Sequence, residues 1–139
     1  MKKLILICLI AVTSIYAADK IYGKAKVTEV RSIYDGDTFR CTIKSYPTII
    51  GNDIGVRVFG IDCPEMTDKN PEIKALAQQA KQYTVSRLRE GKSVWLVNMR
   101  RDKYFRILAE VKIDGKDLAQ ELIAKGLAKA YDGGTKEEW

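Results

Sequence analysis

There is no histidine among the 139 residues. That absence removes the Ser-His-Asp and Cys-His nucleophile pairs, the imidazole general base and the His-ligated zinc site. Any catalysis must therefore draw its acids, bases and metal ligands from carboxylates. An apolar run long enough to cross a bilayer is also missing. Leu4 to Ala18 gives 15 residues, against the roughly 20 that a spanning helix needs. No repeat, low-complexity stretch or shift in composition marks a second domain, and cysteine is limited to three residues.

The first residues differ in kind from the rest. Lys2 and Lys3 precede the run LILICLIAV, then come Thr13, Ser14 and the small pair Ala17 and Ala18, with Asp19 and Lys20 directly after. This is the layout of a secretory signal peptide. Residues 1–17 are expected to be a cleaved leader and 18–139 a single exported domain, secreted or periplasmic, with no stable membrane association afterwards. Removing Lys2 and Lys3 from 24 basic residues leaves 22 against 18 acidic ones, a net charge of +4. A modest positive excess suits a polyanionic partner without identifying one. Export would leave Cys41 and Cys63 where a disulfide is permitted, and Cys41 reads as a core strand residue rather than one arm of a bridge.

Lys24 to Tyr34 and Thr38 to Lys44 are rich in β-branched and aromatic residues, and Asp35-Gly36 between them signals a hairpin. Phe39, Cys41 and Ile43 share one face of the second strand, and Asp37 has their parity, so an acid is aimed at the mouth of the apolar face. Tyr46 to Gly55 reads as a loop, and Val56 to Ile61 as a third strand ending at Asp62-Cys63-Pro64. Asn70 and Pro71 open a helix, with Ile73, Leu76, Ala80 and Tyr83 as its apolar positions, running to about Glu90 and stopping at Gly91. Two more strands, Ser93 to Met99 and Phe105 to Ile113, precede a short helix capped by Asp117 and stopped by Gly126. Five strands and two helices predict a mainly β fold, a small closed barrel with two flanking α-helices.

Asp35, Asp37, Asp62 and Glu65 fall at two strand-to-loop junctions. If those strands are neighbours, several hard carboxylate oxygens converge at one mouth, which is what Ca²⁺ or Mg²⁺ requires. Taken singly each acid is as well explained by a turn, and Asp35, beside the turn glycine, reads as a turn residue. Arg57 interrupts the apolar strand GVRVFGI and needs an outward face, a barrel mouth or an acid. Arg106 follows the turn-like DKYF, with Lys103 and Tyr104 beside it. A guanidinium grips two phosphate oxygens in a fork, and two of them can neutralise the charge on a five-coordinate phosphorus.

The motifs DGDTFR, RVFGIDCPE and DKYFRIL, in that order and with a helix between the second and third, resemble the thermonuclease or staphylococcal nuclease-like family from about Val27 to Tyr131. The closing YDGGTKEEW is similar to the tail of compact secreted bacterial members. The resemblance implies a five-stranded OB-fold barrel and a Ca²⁺-dependent nuclease, a monomer acting on DNA and RNA and leaving 3′-phosphate ends. Residue by residue it implies Asp37 and Asp62 as carboxylate metal ligands and Cys63 as a backbone carbonyl ligand where the family usually has Thr. It further implies Glu65 as general base, Arg57 and Arg106 as the phosphate-gripping arginines, and Lys103 and Tyr104 as substrate contacts. Phe105 stands where the family often has Gly. Tyr131 is a weaker candidate for stacking on a base. The competing expectation is an OB-fold module that binds single-stranded nucleic acid without cutting it; a secreted basic adaptor would explain the charge but not the inward acid or the strand-borne arginine.

Overall fold

The computed structural model describes residues 20–139, so the expected leader lies outside the described residues. Among them the order is β1 (Ala25–Lys26), β2 (Glu29–Ile33), β3 (Thr38–Thr42), α1 (Thr48–Gly51), β4 (Ile54–Val58), β5 (Ile61–Asp62), α2 (Pro71–Glu90), β6 (Val94–Arg101), β7 (Ile107–Ile113), β8 (Lys116–Asp117), α3 (Leu118–Ala124) and β9 (Lys129–Ala130). Seven segments form one sheet, in the order β1-β6-β7-β4-β3-β2 with β8 added to β7, and β5 pairs with β9 in a separate ribbon. Every pairing is antiparallel except β4 with β7.

The two outer members of that path, β1 and β2, belong to one continuous stretch of chain. Val27 N–H donates to Val94 O and the next amide, Thr28 N–H, donates to Thr42 O, both at 2.9 Å. The chain thus crosses from one edge of the sheet to the other at a single bend, and the sheet curls round on itself. The five expected strands correspond to β1 with β2, then β3, β4, β6 and β7. The result is mainly β, a curled mixed sheet with three helices, in keeping with the expected OB-type barrel. The third helix is α1, inside the stretch read as a loop. It is a single turn following Pro47, too short for sequence periodicity to reveal.

Alternation along β3 carries through. Phe39, Cys41 and Ile43 are fully buried, and Asp37 is 4% exposed at the head of the same face. Cys41 and Cys63 are both free, and burial pushes the Cys41 thiol up to about 12, which suits an inert core residue. α2 begins at the expected cap, where the Asn70 side chain accepts from Glu72 N–H at 3.0 Å. Its innermost face is not the one read from the larger apolar residues. Ala77, Ala80, Thr84 and Leu88 are buried, whereas Ile73, Leu76 and Tyr83 are half-buried at the margins. Small side chains let the helix approach the β2–β3 turn. A Cβ on Gly36 would lie 2.7 Å from Cys63 Sγ and 2.9 Å from Ala80 Cβ, so only glycine fits that turn. Thr84 Oγ1 completes the clamp by donating to Gly36 O at 2.7 Å.

Candidate active site

The clamped turn fixes Asp35 and Asp37, and the antiparallel β3–β4 register sets Thr38 opposite Arg57. Three short segments meet here: the turn 35–37, the middle of β4, and β5 with the residues after it. Asp37 Oδ1 accepts from Thr38 Oγ1 at 3.0 Å, and its Oδ2 accepts from Cys63 N–H at 2.7 Å, joining the turn to the end of β5. Arg57 pairs through Nη1 with Asp37 Oδ2 and through Nη2 with Asp62 Oδ1 at 3.3 Å, while Nη2 also donates to Ile61 O at 3.2 Å. The charge inside GVRVFGI is therefore answered by two acids, as its burial demands.

Asp35 is the turn residue the sequence indicates, its Oδ1 accepting from Asp37 N–H at 3.1 Å, but it is 6% exposed and so also belongs to the buried acid group, which the sequence did not show. Burial, and then repulsion from Asp37, push its carboxyl up to about 7. Arg57 sits amid this negative charge. Burial lowers its pKa, but Asp37 first and then Asp62 and Asp35 outweigh that and raise it.

Besides Tyr131, residues 129–139 bring Lys129, Lys136 and Trp139, groups that the sequence reading gave no role in the site. Lys136 Nζ lies 2.8 Å from Asp62 Oδ1 and 3.7 Å from Glu65 Oε1, and its hydrogen bond to Asp62 raises the ammonium pKa. Trp139 Nε1 donates to Asp62 Oδ2 at 3.4 Å. Lys129, paired across the ribbon with Asp62, stands over the Trp139 ring at 4.7 Å and donates to Glu138 O. Glu65 is joined to the buried acids through Lys136 and has an exposed side chain.

A cleft of about 600 Å³ opens on Arg57 and separates the β6–β7 hairpin from the segment after β9. Lys103, Tyr104 and Arg106 line one side of it, and Tyr131 and Lys136 the other. Arg106 is held by Asp102 at 2.8 Å through Nη2, while its Nε is buried without a hydrogen-bond partner among the described residues, a donor left for an anion. Phe105 has φ +57, the left-handed conformation that glycine adopts freely.

The site supplies hard oxygen donors for a divalent cation. Among the described residues no three acidic, thiol or imidazole side chains close around an ion by themselves, so Asp37 and Asp62 would need backbone carbonyls, such as that of Cys63, and water to complete a shell. The Lys136 ammonium on Asp62 is a cation already standing at one of these ligands. Asp37 and Asp62 are buried oxygen donors, and the lysine on Asp62 shows that this carboxylate takes a cation. On both counts the residues fit a hard divalent ion such as Ca²⁺.

The profile of a family described as staphylococcal nuclease homologue matches residues 55–138. The chain is 34% identical over 107 residues to the SPbeta prophage-derived endonuclease YokF of Bacillus subtilis, covering 73% of this chain and 34% of that protein. It is 30% identical over 130 residues to a protein of Haemophilus influenzae described as an uncharacterized endonuclease, covering 94% and 65%. Identity to endonuclease YncB of Bacillus subtilis is 32% over 115 residues, covering 79% and 51%. The matched region thus spans from about a third to just under two thirds of these relatives' length.

Proposed function

The chain belongs to the staphylococcal nuclease homologue family, and from that premise we propose that it is a Ca²⁺-dependent nuclease hydrolysing phosphodiester bonds of DNA and RNA. The observation that carries this reading is the meeting of Asp37, Asp62 and Arg57 behind a cleft that Arg106, Lys103, Tyr104 and Tyr131 also line. Its relatives named as endonucleases support it. Arg57 and Arg106 grip the non-bridging oxygens of the scissile phosphate and stabilise the charge that grows on them in the transition state. Glu65, at the solvent-exposed edge, takes a proton from the attacking water. Asp37, Asp62 and the Cys63 carbonyl would hold Ca²⁺, and the ion would supply Lewis-acid polarisation of a phosphoryl oxygen. Lys103 and Tyr104 contact a flanking phosphate, and Tyr131 stacks on a base. Departure of the 5′ oxygen leaves a 3′-phosphate end.

The same proposal includes export by the leader 1–17, a secreted or periplasmic location without stable membrane association, and a monomeric state. The test is digestion of single-stranded DNA and of RNA by the purified protein. Cleavage is expected in Ca²⁺ and not after chelation. Glu65→Gln and Arg106→Ala should each lower turnover by orders of magnitude, about 10²-fold or more; Glu65→Gln should leave the melting temperature nearly unchanged, whereas Arg106→Ala also takes away the partner of Asp102 and should lower it. Tight binding of both substrates with no cleavage by the unmodified protein would favour a non-catalytic nucleic-acid-binding module instead.

A further inference from the structure

A second cavity, about 460 Å³, lies beside the cleft and shares Arg101, Asp102, Lys103 and Arg106 with it, so the two are continuous around the end of the β6–β7 hairpin. Its lining is largely apolar: Tyr22, Tyr46, Ile50, Ile54, Met99 and Phe105. Nothing in the proposed mechanism uses it. Yet exposed apolar side chains gather here, with Phe105 79% exposed and Tyr22 47%. An aromatic ring left in water is unfavourable, and at Phe105 it sits on a backbone that favours glycine, so neither packing nor turn geometry accounts for the residue.

The chemistry around the groove narrows what it would take. In the groove the Arg101 guanidinium lies 5.7 Å from the Tyr22 ring centre, and on the cleft side of the hairpin end Lys103 and Arg106 lie 5.0 and 5.2 Å from that of Tyr104. Cations and π faces in alternation suit a polymer of stacked bases and phosphates. The one acid shared by the two cavities, Asp102, is already spent on Arg106. A strand whose phosphate is held by Arg106 in the cleft has the same arginine, with Arg101 and Lys103, as its path over the hairpin end.

We propose that this groove is a second nucleobase subsite, receiving an unpaired base of the strand whose phosphodiester occupies the cleft, with Tyr22 and Phe105 as its stacking surfaces. The inference rests on the nuclease reading above and extends its binding surface beyond the reacting nucleotide. A short oligonucleotide would fill the cleft alone; a longer one would reach the groove as well.

The experiment compares fluorescence anisotropy of labelled (dT)₂ and (dT)₁₀ in Ca²⁺, using full-length Glu65→Gln protein to prevent turnover. It is repeated after adding Tyr22→Ala and Phe105→Ala. Both side chains are substantially exposed, and unchanged melting curves will verify the fold. The expected result is a loss of (dT)₁₀ affinity of about 5- to 100-fold with (dT)₂ unaffected. Equal weakening of both lengths, or of neither, would overturn the subsite while leaving the nuclease reading in place. If the Glu65→Gln protein binds neither oligonucleotide, that reading fails and the subsite with it. Should the substitutions abolish binding to phosphatidylserine vesicles while leaving (dT)₁₀ affinity intact, the groove is a lipid-docking surface and the subsite is refuted.

Discussion

Asp102 governs two features of the hairpin at once, accepting from Arg106 Nη2 at 2.8 Å and from the Tyr104 backbone N–H at 2.5 Å. Burial raises its carboxyl pKa, but the hydrogen bonds and the Arg106 charge outweigh burial and hold it below the ordinary range. A carboxyl depressed in the folded state contributes stability that is fully present above its unfolded pKa and is lost as pH falls through the folded value. Asp102→Asn should therefore cost about 1–3 kcal/mol near neutral pH, with the gap to the unmodified protein shrinking in acid. Urea unfolding at pH 7 and at pH 3 measures it; an equal gap at both would mean that the carboxylate charge is irrelevant. Nothing in the sequence marks Asp102 for this role, which emerges only from the fold. Arg57 was legible because a charge among GVRVFGI must find a partner. Asp35 was not, because its burial depends on how closely α2 approaches Gly36.

At the level of elements, local chemistry was readable wherever it was self-contained. Asp117 accepts from Gln120 N–H at 3.1 Å to cap α3, Gly126 adopts φ +68 beyond its end, and Asp114-Gly115 forms a left-handed pair between β7 and β8. Gly91 is different. Its φ of −64 needs no glycine, but a Cβ there would lie 2.5 Å from Ile113 Cγ2, so the residue serves close approach rather than a left-handed helix stop. β5 and β9 were illegible as a pair because two-residue strands separated by so much chain leave no periodicity. The helices also differ in how they use apolar side chains. Leu122 of α3 is fully buried, whereas Leu76 of α2 is only half-buried. Leu122→Ala should cost about 2–5 kcal/mol and Leu76→Ala less than half of that, read from denaturant midpoints. Equal losses would mean that α2 is seated more deeply than its exposure indicates.

On the scale of the molecule, the order of the three motifs along the chain was readable, and their convergence needed the curled sheet. Of the segment after β9 only Tyr131 was legible as part of the site, since a run such as DGGTKEEW carries no periodic signal, and the contact of Lys136 with Asp62 follows from the β5–β9 ribbon. A divalent ion bound as proposed would compete with Lys136 for the same Asp62 oxygen. Lys136→Met is expected to raise Ca²⁺ affinity about two- to fivefold, the range of a partly exposed ion pair, by calorimetric titration. An unchanged or weaker affinity would show that the lysine does not contend for Asp62.

The bend at Val27–Thr28 bears on how the chain acquires its shape during synthesis. Ala25 meets Leu96, and Asp62 meets Lys129, so both the closure of the sheet and the seating of Asp62 wait for residues made roughly seventy positions later. A nascent polypeptide that has emerged only as far as α2 can form that helix and the β2–β3 hairpin, but neither the wrapped sheet nor the acid cluster beneath the cleft. Closure therefore waits until β6 and β9 have been made, and a product that stops short of them should be inert and readily degraded rather than partly active.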